Sequence, residues 1–379
     1  MHTCRQNNAK GSCNDRSGFT LLEILVSVTI LAILMLVLTT AVSNSRDLWL
    51  STSQRVSEFR EGRAAMEAMS RRLSQATLNS YWGYDDPDDP KLFQRQSELH
   101  FVCGPSGELL GDGNDARKYT GSAVFFQAPF GYAGTEAGSL GEGADFDDMD
   151  DLLNCWGYFV EYSSDIDPDR PLRPAFLEAE VDLYPERKRF RLMEFRQPSE
   201  RLEIYSGAYS GRSGGIDLAT STTTLYKWFR FESVQLENSR PIAENILAVV
   251  IRPQAPTAAD QDDASKSAIA PDYYYDTRRH QWEGGSPISA ISRNQLPPVI
   301  EMTLVALEEK SFDRYIYGEG EEKALELVTF VNSRFKSTSN YEEDMEELEE
   351  ELIKRSLDYR LFTISVPIRA AKFVTTQES

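Results

Sequence analysis

One carboxylate stands alone in the longest apolar run of this 379-residue chain. Residues 19–42 read FTLLEILVSVTILAILMLVLTTAV, 24 residues in which Glu23 is the single ionisable side chain. A carboxylate in hydrocarbon costs about 2.5–3.5 kcal/mol on insertion scales, so a Glu kept there needs either a partner charge or a place at the headgroup boundary. Elsewhere, chemistry-bearing residues are sparse. Asp165, Asp167 and Asp169 alternate like the first ligands of a calcium loop, yet Arg170 and Phe176 stand where an EF-hand requires Gly and Glu. They remain candidates for Ca2+ in a looser loop, against the plainer reading of a solvated acidic turn. The denser cluster Asp145, Asp147, Asp148, Asp150 and Asp151 and the smaller set Asp112, Asn114 and Asp115 carry the same two readings. The three histidines, His2, His100 and His280, show no triad context, and no Cys/His set has zinc spacing. Gly211-Arg212-Ser213-Gly214-Gly215 lacks the spacing of a nucleophile elbow. No enzyme is expected from these residues.

Charge narrows the partners. With 40 Lys+Arg against 60 Asp+Glu the net charge is −20, the wrong sign for a protein that tracks nucleic-acid phosphates. The one basic run, Arg187-Lys188-Arg189-Phe190-Arg191, alternates as an outward strand face would. At 41% hydrophobic residues the chain has ample material for a core.

The elements that must position Glu23 follow from periodicity. A run of 24 residues at about 1.5 Å rise spans the ~30 Å bilayer core, and it is longer than the ~7–15-residue apolar region of an ordinary cleaved signal. Arg5, Lys10 and Arg16 precede it and favour a cytoplasmic N-terminus. Past the run, Trp49, Val56, Phe59, Met66, Met69, Leu73 and Ala76 recur at helical spacing, which predicts one helix from about Thr20 to about Asn79, stopped by GYDDPDDP at 83–90. Strands are expected at 99–103, 123–127, 156–162, 189–195, 246–252, 300–307 and 361–368, with solvated insertions at 131–151, 206–224 and 254–272. Residues 342–354 predict a short acidic helix whose Met345, Leu348 and Leu352 either dock a partner or cover the domain's own edge. The expected class is α+β: a long helix against an antiparallel sheet enlarged by loops.

The segment Ser17-Gly18-Phe19-Thr20-Leu21-Leu22-Glu23 resembles the class III signal of type IV prepilins and type II secretion pseudopilins. The resemblance implies that a membrane-bound prepilin peptidase cuts between Gly18 and Phe19 and methylates the Phe19 amine. Glu23 then becomes the fifth mature residue, the assembly contact that pairs with a neighbour's terminal amine. The family often has Pro where Thr40 stands, so the usual kink is not expected here. Glu244-Asn245-Ile246 to Val250, followed by Leu296-Pro297-Pro298-Val299-Ile300, is similar to J-type minor pseudopilins. Tyr359-Arg360-Leu361-Phe362-Thr363 resembles the last strand of related minor pilins. With Phe101–Pro105, Gly157–Tyr162 and Arg191–Glu194, the whole pattern looks like Verru_Chthon cassette protein C, a prepilin-type family of Verrucomicrobia-like bacteria.

The implied layout is a leader at 1–18, a transmembrane and assembly helix at 19–42, its amphipathic continuation at 43–80, and a periplasmic pilin-like domain at 81–379. The implied partners are prepilin peptidase, other pilin-like subunits and secretion machinery, and the inner membrane, with no nucleic acid. Cys4 and Cys13 would leave with the leader. Cys103 and Cys155 would then be either a disulfide in an oxidising compartment or two separately buried thiols. Two rivals stand beside the subunit reading. One is a surface adhesin or receptor using the same export route, with loops 131–151 and 254–285, including Tyr273-Tyr274-Tyr275 and Trp282, as its binding surface. The other is a signal-anchored periplasmic enzyme.

Overall fold

In the computed structural model the first element is one uninterrupted helix, α1 (Leu21–Leu73), of 53 residues. The structure describes residues 20–84, 90–91, 93–111, 113, 117–132, 152–167, 170, 172–178, 183–205, 228–229, 237–255, 269–278, 292–317 and 320–373. The Thr20 hydroxyl accepts the Glu23 N–H at 3.3 Å and so serves one of the donors that the first helical turn leaves free. Arg71 and Arg72 occupy the last turn, where positive charge suits the helix dipole. The helix stops earlier than its apolar stripe predicts. Ala76 is buried as foreseen, but the Thr77 N–H is taken by the Gln127 carbonyl at 2.9 Å, which draws the backbone towards the sheet.

Eleven strands and five further helices follow among the described residues: β1 (Tyr81–Tyr84), β2 (Phe93–Gln96), β3 (Val102–Pro105), α2 (Ser106–Leu110), β4 (Arg117–Pro129), β5 (Leu153–Ser164), α3 (Ala175–Glu178), β6 (Lys188–Gln197), β7 (Ser239–Glu244), β8 (Ile246–Gln254), β9 (Tyr275–Asp276), β10 (Val299–Leu307), α4 (Glu309–Ile316), α5 (Glu321–Ser333), α6 (Tyr341–Lys354) and β11 (Tyr359–Pro367). They form a six-stranded sheet β7-β6-β5-β4-β3-β9, a three-stranded sheet β11-β10-β8 and a ribbon β1-β2, with antiparallel pairing throughout. The chain divides into two compact units, Met1–Val56 and Ser57–Ser379.

Within the second unit the α1 stripe does what its spacing requires. Met66, Met69, Leu73 and Ala76 are buried with Val124, Phe126 and Tyr158 of the larger sheet and with Met302, Leu304 and Val366 of the smaller one. The other face of the larger sheet buries Phe125, Phe159 and Phe195 against Trp228 and Phe229. The other face of the smaller sheet is covered by α4, α5 and α6. Met345, Leu348 and Leu352 of α6 are spent there, so the acidic helix covers its own domain. Gly121 joins the two sheets: its φ is +67°, and a Cβ on it would sit 2.7 Å from the Val249 carbonyl oxygen of β8. Only a glycine takes that turn so close to a neighbouring backbone.

Two sequence expectations change. The basic run is not an outward face: Arg189 and Arg191 are buried, and they meet Asp313 at 2.6 Å and Glu244 at 3.3 Å. Acidic residues on α4 and β7 neutralise them, which lets β6 turn cations inward. Tyr273 and Tyr275 belong to the core at 1% exposure each, so these two rings of the 254–285 loop are not part of a binding surface. Trp282 lies outside the described residues.

Candidate functional site: an uncovered apolar helix with one carboxylate

Residues Leu21–Arg46 of α1 form a 26-residue segment long and apolar enough to cross a membrane. Its side chains are all exposed, Leu21 at 82% and Leu36 at 68%, which water would not tolerate over such an area. Most of its polar groups are already internal. Ser27 donates to the Glu23 carbonyl at 2.7 Å, Thr29 to Val26, Thr39 to Met35, and Thr40 to Val37 at 2.9 Å. Hydroxyls satisfied in this way can sit in lipid or against another helix. Within 21–42, the Glu23 carboxylate is the one side-chain polar group left without a hydrogen-bond partner among the described residues. A carboxylate so placed on an apolar surface can pair with a cation or lie at the headgroup boundary. Gly18 and Phe19 lie outside the described residues.

Residues 13–39 match the family described as the prokaryotic N-terminal methylation motif. The chain carries a prepilin-type signal. No curated protein sequence and no solved structure matches it. A prepilin-type signal with one apolar helix among the described residues fits a single-pass inner-membrane anchor, and the motif implies processing by prepilin peptidase and assembly with other pilin-like subunits. The α+β architecture, a long N-terminal apolar helix followed by antiparallel sheets, is pilin-like in arrangement.

The remaining candidates are placed as follows. Asp167 takes two bonds from Arg117, at 2.6 and 3.1 Å, and Asp165 accepts the Arg173 Nε–H at 2.9 Å and the Arg187 backbone N–H at 2.9 Å. Both carboxylates are engaged by arginine, and Asp169 lies outside the described residues. Among the described residues no group of three or more His, Cys, Asp or Glu could hold a metal ion. The clusters at 145–151 and at Asp112, Asn114 and Asp115, together with the Gly211–Gly215 run and His280, are outside the described residues.

Of the two readings of Cys103 and Cys155, the structure has the separately buried thiols. Both are free, buried thiols, and their side chains point to opposite faces of the larger sheet, Cys103 beside Val124 and Phe126, Cys155 beside Phe125 and Phe159. Full burial raises both pKa values, that of Cys155 to about 12. Iodoacetamide at pH 8 should therefore leave both unmodified in the folded chain and label both in urea. Rapid labelling without denaturant would contradict this placement.

Sequence spacing gave no sign of two buried polar clusters. Arg72, at the end of α1, lies over the Trp156 ring with its Cζ 4.7 Å from the centroid, bonds to Glu194 and donates to the Tyr158 hydroxyl at 3.2 Å. This clamps α1 to β5 and β6. In the second cluster, His100 Nε2 lies 2.8 Å from Asp276 Oδ1, and Trp228 Nε1–H donates to His100 Nδ1 at 3.2 Å. An acceptor Nδ1 fixes the neutral tautomer with its proton on Nε2. Asp276 also accepts from the Arg278 N–H at 2.8 Å and the Tyr274 hydroxyl at 3.2 Å. Burial pushes His100 below its ordinary value, against the pull of Asp276. Burial opposes ionisation of Asp276 as well, but the electrostatic pull of His100 and the hydrogen bonds from His100, Arg278 and Tyr274 outweigh that and hold it low. The unfolded chain therefore takes up a proton near pH 6.5 before folded His100 does, so stability falls as pH drops through that value, by at most about 1.4 kcal/mol per unit for one proton. Asp276 adds a further loss below its ordinary range of about 3.9. Thermal midpoints in detergent between pH 7.5 and 5 should decline, and His100→Gln should flatten the slope. An unchanged slope in that variant would place the titration elsewhere.

Proposed function

We propose that the chain is a minor pseudopilin or pilin-like subunit, processed between Gly18 and Phe19, methylated on Phe19 and built into a type II secretion or type IV pilus-like assembly. The supporting observation is the Leu21–Arg46 surface: fully uncovered, with its polar groups within 21–42 internally satisfied except at Glu23, and overlapping a prepilin-type signal at 13–39. A lone subunit has no means of covering that surface in an aqueous compartment, whereas a bilayer and then a bundle of similar helices do. In this reading 1–18 is the leader, 19–42 spans the membrane and mediates assembly, 43–80 continues as the amphipathic part, and 81–379 is the periplasmic domain. The N-terminus faces the cytoplasm, as Arg5, Lys10 and Arg16 favour. Retention of Glu23 suits a position just below a filament tip. The likeness to J-type minor pseudopilins and to Verru_Chthon cassette protein C supports a minor subunit over a bulk one.

The test is intact N-terminal mass spectrometry of the native protein. The expected species starts at Phe19 and carries one methyl group on its amine. A chain that keeps residues 1–18, or that is cut near Thr39-Thr40-Ala41, would overturn the subunit reading.

A further inference from the structure

The ribbon β1-β2 carries a feature that assembly through α1 does not use. Trp82 and Tyr84 lie two apart on one strand, Phe93 opposite Tyr84 and Arg95 opposite Trp82, so all four share one face. The rings are open to solvent: Trp82 and Phe93 are each 59% exposed and Tyr84 54%. The planes of Trp82 and Phe93 are 8° from parallel with centroids 6.5 Å apart, and Tyr84 stands edge-on to Phe93 at 5.0 Å. Arg95 lies with its Cζ 5.7 Å from the Trp82 centroid. Arg95 is a cation in a chain of net charge −20. It is half-buried, burial lowers its pKa, and no carboxylate among the described residues pairs with it. By contrast Arg117, Arg173, Arg189 and Arg191 each hold an acidic partner.

A partly desolvated cation with no carboxylate partner among the described residues, set among open aromatic faces, defines its ligand by complement. The ligand must bring a carboxylate for the guanidinium fork and flat C–H-bearing surfaces for the electron-rich ring faces. Among the described residues of the two strands, this face presents rings and a guanidinium. Pyranose rings supply the C–H faces, and uronic acids supply the carboxylate on the same ring.

We propose that the Trp82–Tyr84–Phe93–Arg95 face binds an acidic, uronate-bearing polysaccharide, with sugar rings lying on Trp82 and Phe93 and a carboxylate on Arg95. The site is independent of the subunit reading, since it rests on β1 and β2 alone.

The experiment is affinity gel electrophoresis of the full chain in detergent through gels containing polygalacturonate, hydroxyethyl cellulose or poly-glutamate. Polygalacturonate should retard the protein most, the neutral polymer weakly, and poly-glutamate not at all. Trp82→Ala should weaken polygalacturonate binding roughly tenfold or more, in line with the loss of a stacked aromatic. Arg95→Gln should reduce it to the level of the neutral polymer. Because Trp82 is mostly exposed, the Trp82→Ala chain should keep its far-UV circular dichroism and thermal midpoint, and that arm stands even where Arg95→Gln disturbs folding. Three results would overturn the proposal: no retardation by polygalacturonate, equal retardation by poly-glutamate (an acidic protein partner or charge alone), or binding indifferent to Trp82→Ala.

Discussion

Gly18→Val should leave the chain at its full length. The peptidase must bring the bond between residues 18 and 19 into line with its catalytic groups, and a branched side chain at the first of these positions displaces the carbonyl under attack. Misplacement by about 1 Å is enough to cost roughly a hundredfold in rate, so the mature band should disappear from steady-state samples rather than weaken. Membrane insertion should persist, because the apolar run after Gly18 is untouched. The measurement is the N-terminal mass of membrane-extracted protein, wild type beside variant, at equal expression. A product beginning at Phe19 in the variant would count against the signal itself, and with it the subunit reading. Retention of 1–18 in both proteins would show that the site is never used, and the chain would be a simple signal-anchored protein.

Legibility from sequence followed the range of the interactions involved. The helix, its buried stripe and the strands at 123–127, 156–162, 189–195, 246–252, 300–307 and 361–368 could be read because alternation or helical spacing repeats within a few residues. β7 was hidden: Ser239–Glu244 contains Pro241 and no alternation, and it pairs only as the edge of the larger sheet. β9 is two residues long and exists because β3 offers it a free edge. The inward turn of Arg189 and Arg191 depends on Asp313 and Glu244, more than 50 residues away, so the run by itself reads as a solvated face. The same holds for His100, which meets Asp276 from 176 residues off. Asp165 and Asp167 look like calcium ligands until Arg173 and Arg117 are seen to have reached them first. At the membrane end the opposite holds. There, local sequence carries nearly everything, since one helix with one charge needs no distant partner within its own chain.

Glu23→Leu should separate anchoring from assembly. Removing a carboxylate from an apolar span removes a cost of about 2.5–3.5 kcal/mol, so insertion should be unchanged or slightly better. Cleavage depends mainly on Gly18 and should largely survive. Two smaller effects need weighing. Glu23 sits in the first turn of α1, where a negative charge gains about 0.3–1 kcal/mol from the helix dipole. The cap itself is the Thr20 hydroxyl accepting the Glu23 backbone N–H, which leucine retains. Helix formation should therefore lose at most a fraction of what assembly stands to lose. If the carboxylate pairs with the Phe19 amine of a neighbouring subunit, its removal strands an ammonium in apolar surroundings. Breaking one partner of such a buried pair costs about 3–5 kcal/mol. At about 1.4 kcal/mol per factor of ten, co-assembly should weaken by two to three orders of magnitude. Glu23→Gln discriminates between the two roles, because it keeps hydrogen-bonding capacity and loses only the charge. If the charge is what matters, Gln should fail nearly as badly as Leu, whereas a need for polarity alone would let it pass. The measurement is crosslinking or co-purification with other pilin-like subunits at matched membrane levels. Undiminished co-assembly of Glu23→Leu would reduce Glu23 to a tolerated residue at the headgroup boundary, and the contact that holds this subunit would have to lie elsewhere along Leu21–Arg46.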